Sequence, residues 1–225
     1  MRVERCFAFV DLSGFTAFTE RYGDEQTVVV LADFRTRVRE IAARRGVRVT
    51  KWLGDGAMLS SSDAEAVVAM VIELAARVPE GVHLEIRAGL AQGAVIMFEG
   101  DDYIGRAANV ASRLCDAAAP GQVLATREVA SLAPRWVAAG EMLPYPATGF
   151  DHPLEACVLE VGRGGPMTTD PCCGLELPAI AGLDTRFGPD TRFGPDDGVH
   201  RFCSTACASA WEQRQRAEVT AIGVP

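Results

Sequence analysis

The chain has 225 residues, 48% hydrophobic and 23% charged: room for one ordinary domain and a small module, not two full domains. A net charge of −8 leaves no broad basic face for nucleic-acid phosphates, and the aliphatic content excludes wholesale disorder. Of the 22 basic residues, every one but Lys51 is Arg.

Residues 5–11 (RCFAFVD) predict a short, buried strand. Helical patterns follow over 15–22 and 24–45, the second with Val28, Leu31, Phe34, Val38 and Ile41 at core-facing spacing. VRVTKWL, GDG and AMLSS read as a β-hairpin, and Asp63 as the cap of a helix to about Val78. LEIRAGLAQG and AVIMFEG read as a second hairpin, and a helix runs from Gly105 to about Ala118, where Pro120-Gly121 stops it. Shorter strands are expected near Val123, Val137 and residues 156–159. The order β-α-α-β-β-α-β predicts an α+β sandwich with helices on one face of the sheet.

The start of the chain has an apolar run too short for a signal peptide, and the longest apolar stretch, 66–72, falls far short of the ~20 residues a bilayer needs. Seven Cys without an export signal predict reduced thiols and a soluble cytoplasmic protein, with neither a membrane nor a nucleic acid as partner.

Asp11 closes the first strand and Asp55 sits at the tip of the first hairpin, each beside Gly. Neighbouring strands would put both at one sheet edge, an arrangement suited to two divalent ions. The backbone from Leu12 to Thr16, at a helix N-terminus, would then approach phosphates. Asn109 and Arg113, four apart amid small and apolar residues, share one helix face.

FAFVDLSGFT, KWLGDGAML and DYIGRAANVASRL resemble, in order and spacing, the three signature segments of class III nucleotidyl cyclases. The resemblance covers residues 4–161 and implies a ferredoxin-like βααββαβ cyclase domain over 1–161. Its adenylate-cyclase form is a phosphorus–oxygen lyase: the ATP 3′-hydroxyl attacks the α-phosphorus, giving cyclic AMP and pyrophosphate. By resemblance Asp11, Leu12 and Asp55 form the site for two Mg²⁺ or Mn²⁺, Lys51 and Asp102 read the purine, and Phe15 and Thr16 lie along the substrate. Asn109 orients the ribose and Arg113 stabilises the transition state. The family also implies a homodimer, with metal residues from one protomer and purine and transition-state residues from the other.

The base assignment has its own chemistry. Adenine offers an acceptor at N1 and a donor at its 6-amino group, and guanine the reverse. A Lys only donates and a carboxylate only accepts, so Lys51 with Asp102 complements adenine. One departure bears on rate: ATGFDHP carries Thr148 where the family often has a phosphate-binding Lys. That leaves open a weak or silent cyclase-like regulatory protein that binds nucleotide.

Beyond a linker at 162–170, DPCCGLELP and VHRFCSTACASAW resemble a small YHS/TRASH metal-binding module over 171–216, with a tail at 217–225. Cys173, Cys203 and Cys207 match its cysteines, Cys172 is an extra thiol, and His200 is a candidate fourth ligand. Soft thiolates favour Zn²⁺ or Cu⁺. TRFGPD occurs twice, at 185–190 and 191–196, and reads as a duplicated loop.

Overall fold

The computed structural model describes residues 2–76, 84–99, 102–162, 167–178 and 200–222. They form two compact units: Met1–Ala133 with Ala139–Glu160, and Pro134–Ala138 with Val161–Pro225. The duplicated TRFGPD lies outside the described residues.

In the first unit, β1 (Arg2–Ser13) leads into α1 (Phe15–Arg45), then β2 (Arg48–Leu53), β3 (Gly56–Ser61) and α2 (Ala64–Ala76). After these come β4 (Glu85–Phe98), β5 (Asp102–Ile104), α3 (Arg106–Ala117), β6 (Val123–Ala125) and α4 (Arg127–Ser131). β7 (Val137–Ala139) spans the division between units, and β8 (Leu143–Tyr145) and β9 (Leu154–Val161) follow. The strands run β2-β3-β1-β4-β6-β9, with β5 on β4 and β8 on β9.

β1 lies at the centre, antiparallel to both β3 and β4. Its run CFAFV is apolar without alternation because both faces are covered: adjacent Phe7 and Ala8 point to opposite faces and both are 0% exposed. On one face Phe7, Ala91 and Val95 pack with Ala107, Ala111 and Leu114 of α3. α1 and α2 pack together, and α2 lies against β1, β3 and β4. Two faces of one central strand need two layers of helix, so the expected one-sided sandwich is corrected: α3 has a face of its own.

A second correction concerns residues 85–98. These are not a hairpin but one strand, paired with β1 from Arg2↔Ile96 to Ser13↔Glu85. No glycine in it takes the positive φ of a tight turn. The hairpin is β4–β5, with Met97 opposite Tyr103. Tyr103 packs edge-on against Phe7, ring centroids 5.3 Å apart, although Phe7 pairs with Ala91, six residues before Met97. The hairpin therefore folds back over the α3 face.

α1 is kinked at Gly23, which stands at φ 80. The kink puts Thr27 inward, its hydroxyl donating to Gly23 O at 2.8 Å, and leaves Val28 65% exposed. Val28 is therefore no core residue, whereas Phe34, Val38 and Ile41 are. α2 is apolar nearly all round, as expected for a helix between a sheet and another helix; of its two charges, Glu65 lies in the first turn and is exposed, and Glu73 is 0% exposed. Arg45 Nε and Nη2 donate to Glu73 at 2.8 and 2.6 Å, and Arg44 pairs with its other oxygen.

The second unit has a small hairpin of β10 (Met167–Thr169) and β11 (Glu176–Pro178), and a helix, α5 (Thr205–Ile222). α5 continues past residue 216, where the tail was expected to begin. No helix among the described residues is long and apolar enough to cross a membrane.

Candidate active site and thiol cluster

Asp11 and Asp55 line one cleft of about 430 Å³. Gly14, at φ 83, turns β1 into α1, so residues 11–17 edge this cleft together with Arg87 and Pro120. Gly56 lets the β3 backbone pass the carboxylate: a Cβ there would lie 2.6 Å from Val10 O and 3.2 Å from Asp11 Oδ1. That close approach brings Asp55, one residue earlier, to the same edge as Asp11. Burial pushes the Asp55 carboxyl above its usual range, and the Asp11 charge adds to the shift. Its own backbone N–H and Arg87 oppose it. Two facing carboxylates, one resisting ionisation, are what a divalent cation relieves, so the residues present fit Mg²⁺ or Mn²⁺.

Arg87 is the residue that sequence reasoning missed. It pairs across strands with Asp11 and donates to Asp11 Oδ2 from Nε at 2.9 Å and Nη2 at 2.6 Å. That bond holds the guanidinium above its usual pKa. A charged residue inside the apolar run LEIRAGL was the available signal. Thr148 is exposed, in the turn before Gly149.

The two purine-reading candidates meet. Lys51 Nζ donates to Asp102 Oδ2 at 2.6 Å, across 51 residues of sequence. The folded-back β4–β5 hairpin makes this possible. Lys51 pairs with Met58, a member of the α3-face core, so it projects on that face. Trp52 points the other way, under the guanidinium groups of Arg35 and Arg39 on α1. The Lys51 ammonium and the Tyr103 N–H hold the Asp102 carboxyl below its usual range.

On α3, Asn109 and Arg113 are exposed, opposite the buried Ala107, Ala108, Val110, Ala111 and Leu114. Arg113 Nη1 donates to Asp116 at 2.7 Å. Gly89 of β4 seats the helix: a Cβ there would come 2.2 Å from Cys115 N and 2.3 Å from Ala111 O. None of Lys51, Asp102, Asn109 and Arg113 lines the cleft of Asp11 and Asp55.

In the second unit Cys173, Cys203 and Cys207 converge, with Sγ–Sγ distances of 3.7 Å for Cys173–Cys203 and 3.5 Å for Cys203–Cys207. Asp170 is the fourth member of this buried group, whose potential ligand atoms all lie within 4.8 Å of one another. Two sequence candidates stand beside this group: Cys172, whose Sγ accepts from Arg214 Nη2 at 2.8 Å and which also hydrogen-bonds to Cys207, and His200, whose ring lies tilted against Trp211 with centroids 4.6 Å apart. Asp170 organises the cluster: Oδ1 accepts from Cys172 N and Cys173 N at 2.7 and 3.1 Å, and Oδ2 from Cys203 N at 2.7 Å. The Asp-Pro that opens DPCCG was its sequence signal. Ser204 Oγ accepts from Cys207 N, capping α5, and Trp136 Nε1 donates to Cys203 O at 2.6 Å.

Residues 3–139 match the family described as the adenylate and guanylate cyclase catalytic domain. An uncharacterized protein of Mycobacterium tuberculosis is 39% identical over 152 residues, 66% of this chain and 39% of that protein. An adenylate cyclase of Streptomyces coelicolor is 33% identical over 117 residues, 52% of this chain and 30% of that one. The chain thus spans about two fifths or less of the length of these curated relatives. Among solved structures, the adenylyl cyclase CyaB from P. aeruginosa superposes with a TM-score of 0.65 at 28% identity, covering 72% of this chain and 96% of that one. The guanylyl cyclase Cya2, at 21% identity and a TM-score of 0.64 over 72% of this chain and 95% of that one, shares the fold. The chain belongs to the adenylate and guanylate cyclase catalytic-domain family.

Proposed function

We propose that the chain is an adenylate cyclase working as a homodimer, its sites shared between protomers. The observation that carries the base choice is the Lys51–Asp102 pair, a donor and an acceptor already side by side at 2.6 Å. Both side chains are partly exposed, so their mutual ion pair is weak and opens to adenine at little cost. Lys51 then donates to N1 and Asp102 accepts from the 6-amino group. Guanine would set donor against donor and acceptor against acceptor, costing about 1–3 kcal/mol at each mispaired group.

In the reaction the 3′-oxygen forms a bond to the α-phosphorus, the bond to pyrophosphate breaks, and the hydroxyl proton leaves. Asp11 and Asp55 are the residues to hold divalent ions, which supply Lewis-acid stabilisation of the phosphoryl oxygens when bound. Asn109 fixes the ribose and Arg113 offsets charge building on the transferring group. With Thr148 in place of a Lys, Arg87 provides positive charge at the cleft. Separation of the purine and transition-state candidates from the cleft supports assembly in trans. In the second unit, the thiol cluster supports a metal-binding regulatory module.

The test is product formation by the purified protein with ATP or GTP and Mn²⁺. Cyclic AMP from ATP, with GTP a poor substrate, is expected. Binding of ATP with no cyclic product would favour the silent regulatory reading suggested by Thr148.

A further inference from the structure

Asp55 stands in a two-residue turn with little packing of its own. Gly54, at φ 64, and Asp55 close the β2–β3 hairpin between Leu53 and Gly56, and both Leu53 and Gly54 are exposed. A side chain from the helix layer reaches this turn: Arg35 of α1 donates from Nη2 to Gly54 O at 3.0 Å. The bond falls on the peptide that joins Gly54 to Asp55. The other end of that peptide, the Asp55 N–H, donates to the Asp55 carboxylate itself. A cationic donor on an amide oxygen polarises the amide and strengthens donation by its N–H. Buried Phe34 and Val38 hold this stretch of α1 down, and the Arg35 guanidinium lies over the Trp52 ring, 5.0 Å from its centroid. Arg39, one turn on, lies over the same ring at 5.1 Å, but among the described residues Arg35 alone of the two donates to Gly54 O. The charges acting on the Asp55 carboxyl are those of Asp11 and Arg87, so Arg35 bears on the turn and not on the carboxylate directly.

On the reading that Asp55 holds a divalent ion, we propose that Arg35 is a positioning residue of that metal site. Braced on Trp52, it fixes the Gly54–Asp55 peptide from the helix layer. The carboxylate is thereby kept at the sheet edge facing Asp11 instead of swinging with an exposed turn. A ligand already oriented loses less freedom when the ion arrives, and partners that orient a ligand carry about tenfold or more of metal affinity.

Two variants of the full chain separate the bond from the stacking. Arg35→Met keeps an apolar stem over Trp52 and removes the donor, whereas Arg39→Met removes the second stacked cation and leaves the donor. Mn²⁺ is titrated into each protein in the presence of 3′-deoxy-ATP, which lacks the attacking hydroxyl, and free Mn²⁺ is read by electron paramagnetic resonance. Arg35→Met should bind Mn²⁺ about tenfold more weakly than the parent, and Arg39→Met as the parent does. In turnover of ATP, Arg35→Met should need correspondingly more Mn²⁺ and regain the parent's kcat at saturating Mn²⁺, a recovery that a damaged fold would not show. Equal Mn²⁺ affinity in Arg35→Met and the parent overturns the positioning role, as do equal losses in both Met variants with matching falls in Tm. Asp55→Asn tests the reading beneath it. If that variant binds Mn²⁺ as tightly as the parent, Asp55 is no metal residue and both ideas fall. If it loses Mn²⁺ while Arg35→Met does not, the role of Arg35 falls and the metal site stands.

Discussion

Lys51 stands where an ammonium, a compact donor, faces a carboxylate across the α3 side of the sheet, in a chain that uses Arg at every other basic position. Arg, a wide planar fork, would not present the same single donor to N1. Lys51→Glu removes the donor and sets two carboxylates together. Turnover of ATP, followed as cyclic AMP, is expected to fall about a hundredfold in kcat/KM with the fold intact. The motif segments made Asp11, Asp55, Lys51, Asp102, Asn109 and Arg113 legible as candidates. The ion pairs now formed by Lys51 and Arg113, and the place of Arg87 against Asp11, were not, because those depend on strand register. Asp55 carries a pH prediction. Its pKa is raised, so the native protein binds that proton more tightly than the unfolded chain does. Ionised Asp55 therefore costs stability above its folded pKa, and the cost disappears as pH falls through it. Asp55→Asn should raise the Tm of the metal-free protein at neutral pH, with the gain shrinking in acid. Mn²⁺ binding by the parent should weaken on acidification sooner than for an ordinary carboxylate site.

At the scale of elements, α3 presents Asn109 and Arg113 only as well as β4 seats it. Gly89→Ala would push a methyl into the α3 backbone, which cannot give as a side-chain tip can. We expect a loss of ~1–3 kcal/mol in denaturant unfolding, and a fall in kcat through displaced Asn109 and Arg113. The α1–α2 contact depends on Glu73 between Arg44 and Arg45. Glu73→Ala leaves the buried Arg45 uncompensated and should cost ~3–5 kcal/mol, read from the same unfolding curves. Periodicity predicted the helices well, since the caps at Asp63 and Gly46 and the apolar stripe over 34–41 are local signals. It misread 85–98, where Gly93 looked like a turn. Pairing of that strand along the full length of β1 is a long-range fact that no local pattern carries.

For the whole molecule, three motif segments in order made the cyclase domain visible from sequence, as the family match over residues 3–139 and the superposition with CyaB now establish. The division into units was harder to read. Pro134–Ala138 lies within the matched stretch, yet it groups with the thiol unit, where buried Trp136 binds the carbonyl of Cys203. Assembly in trans is the central claim, and mixing two variants tests it most directly. Asp11→Ala removes a metal residue and Arg113→Ala a transition-state residue, so each protein alone should be inactive. In an equimolar, re-equilibrated mixture half the dimers are mixed, and each mixed dimer has one site with Asp11 from one protomer and Arg113 from the other. Recovery of about a quarter of the parent's cyclic AMP production is expected. No recovery, with mixed dimers verified by mass, would contradict the shared site.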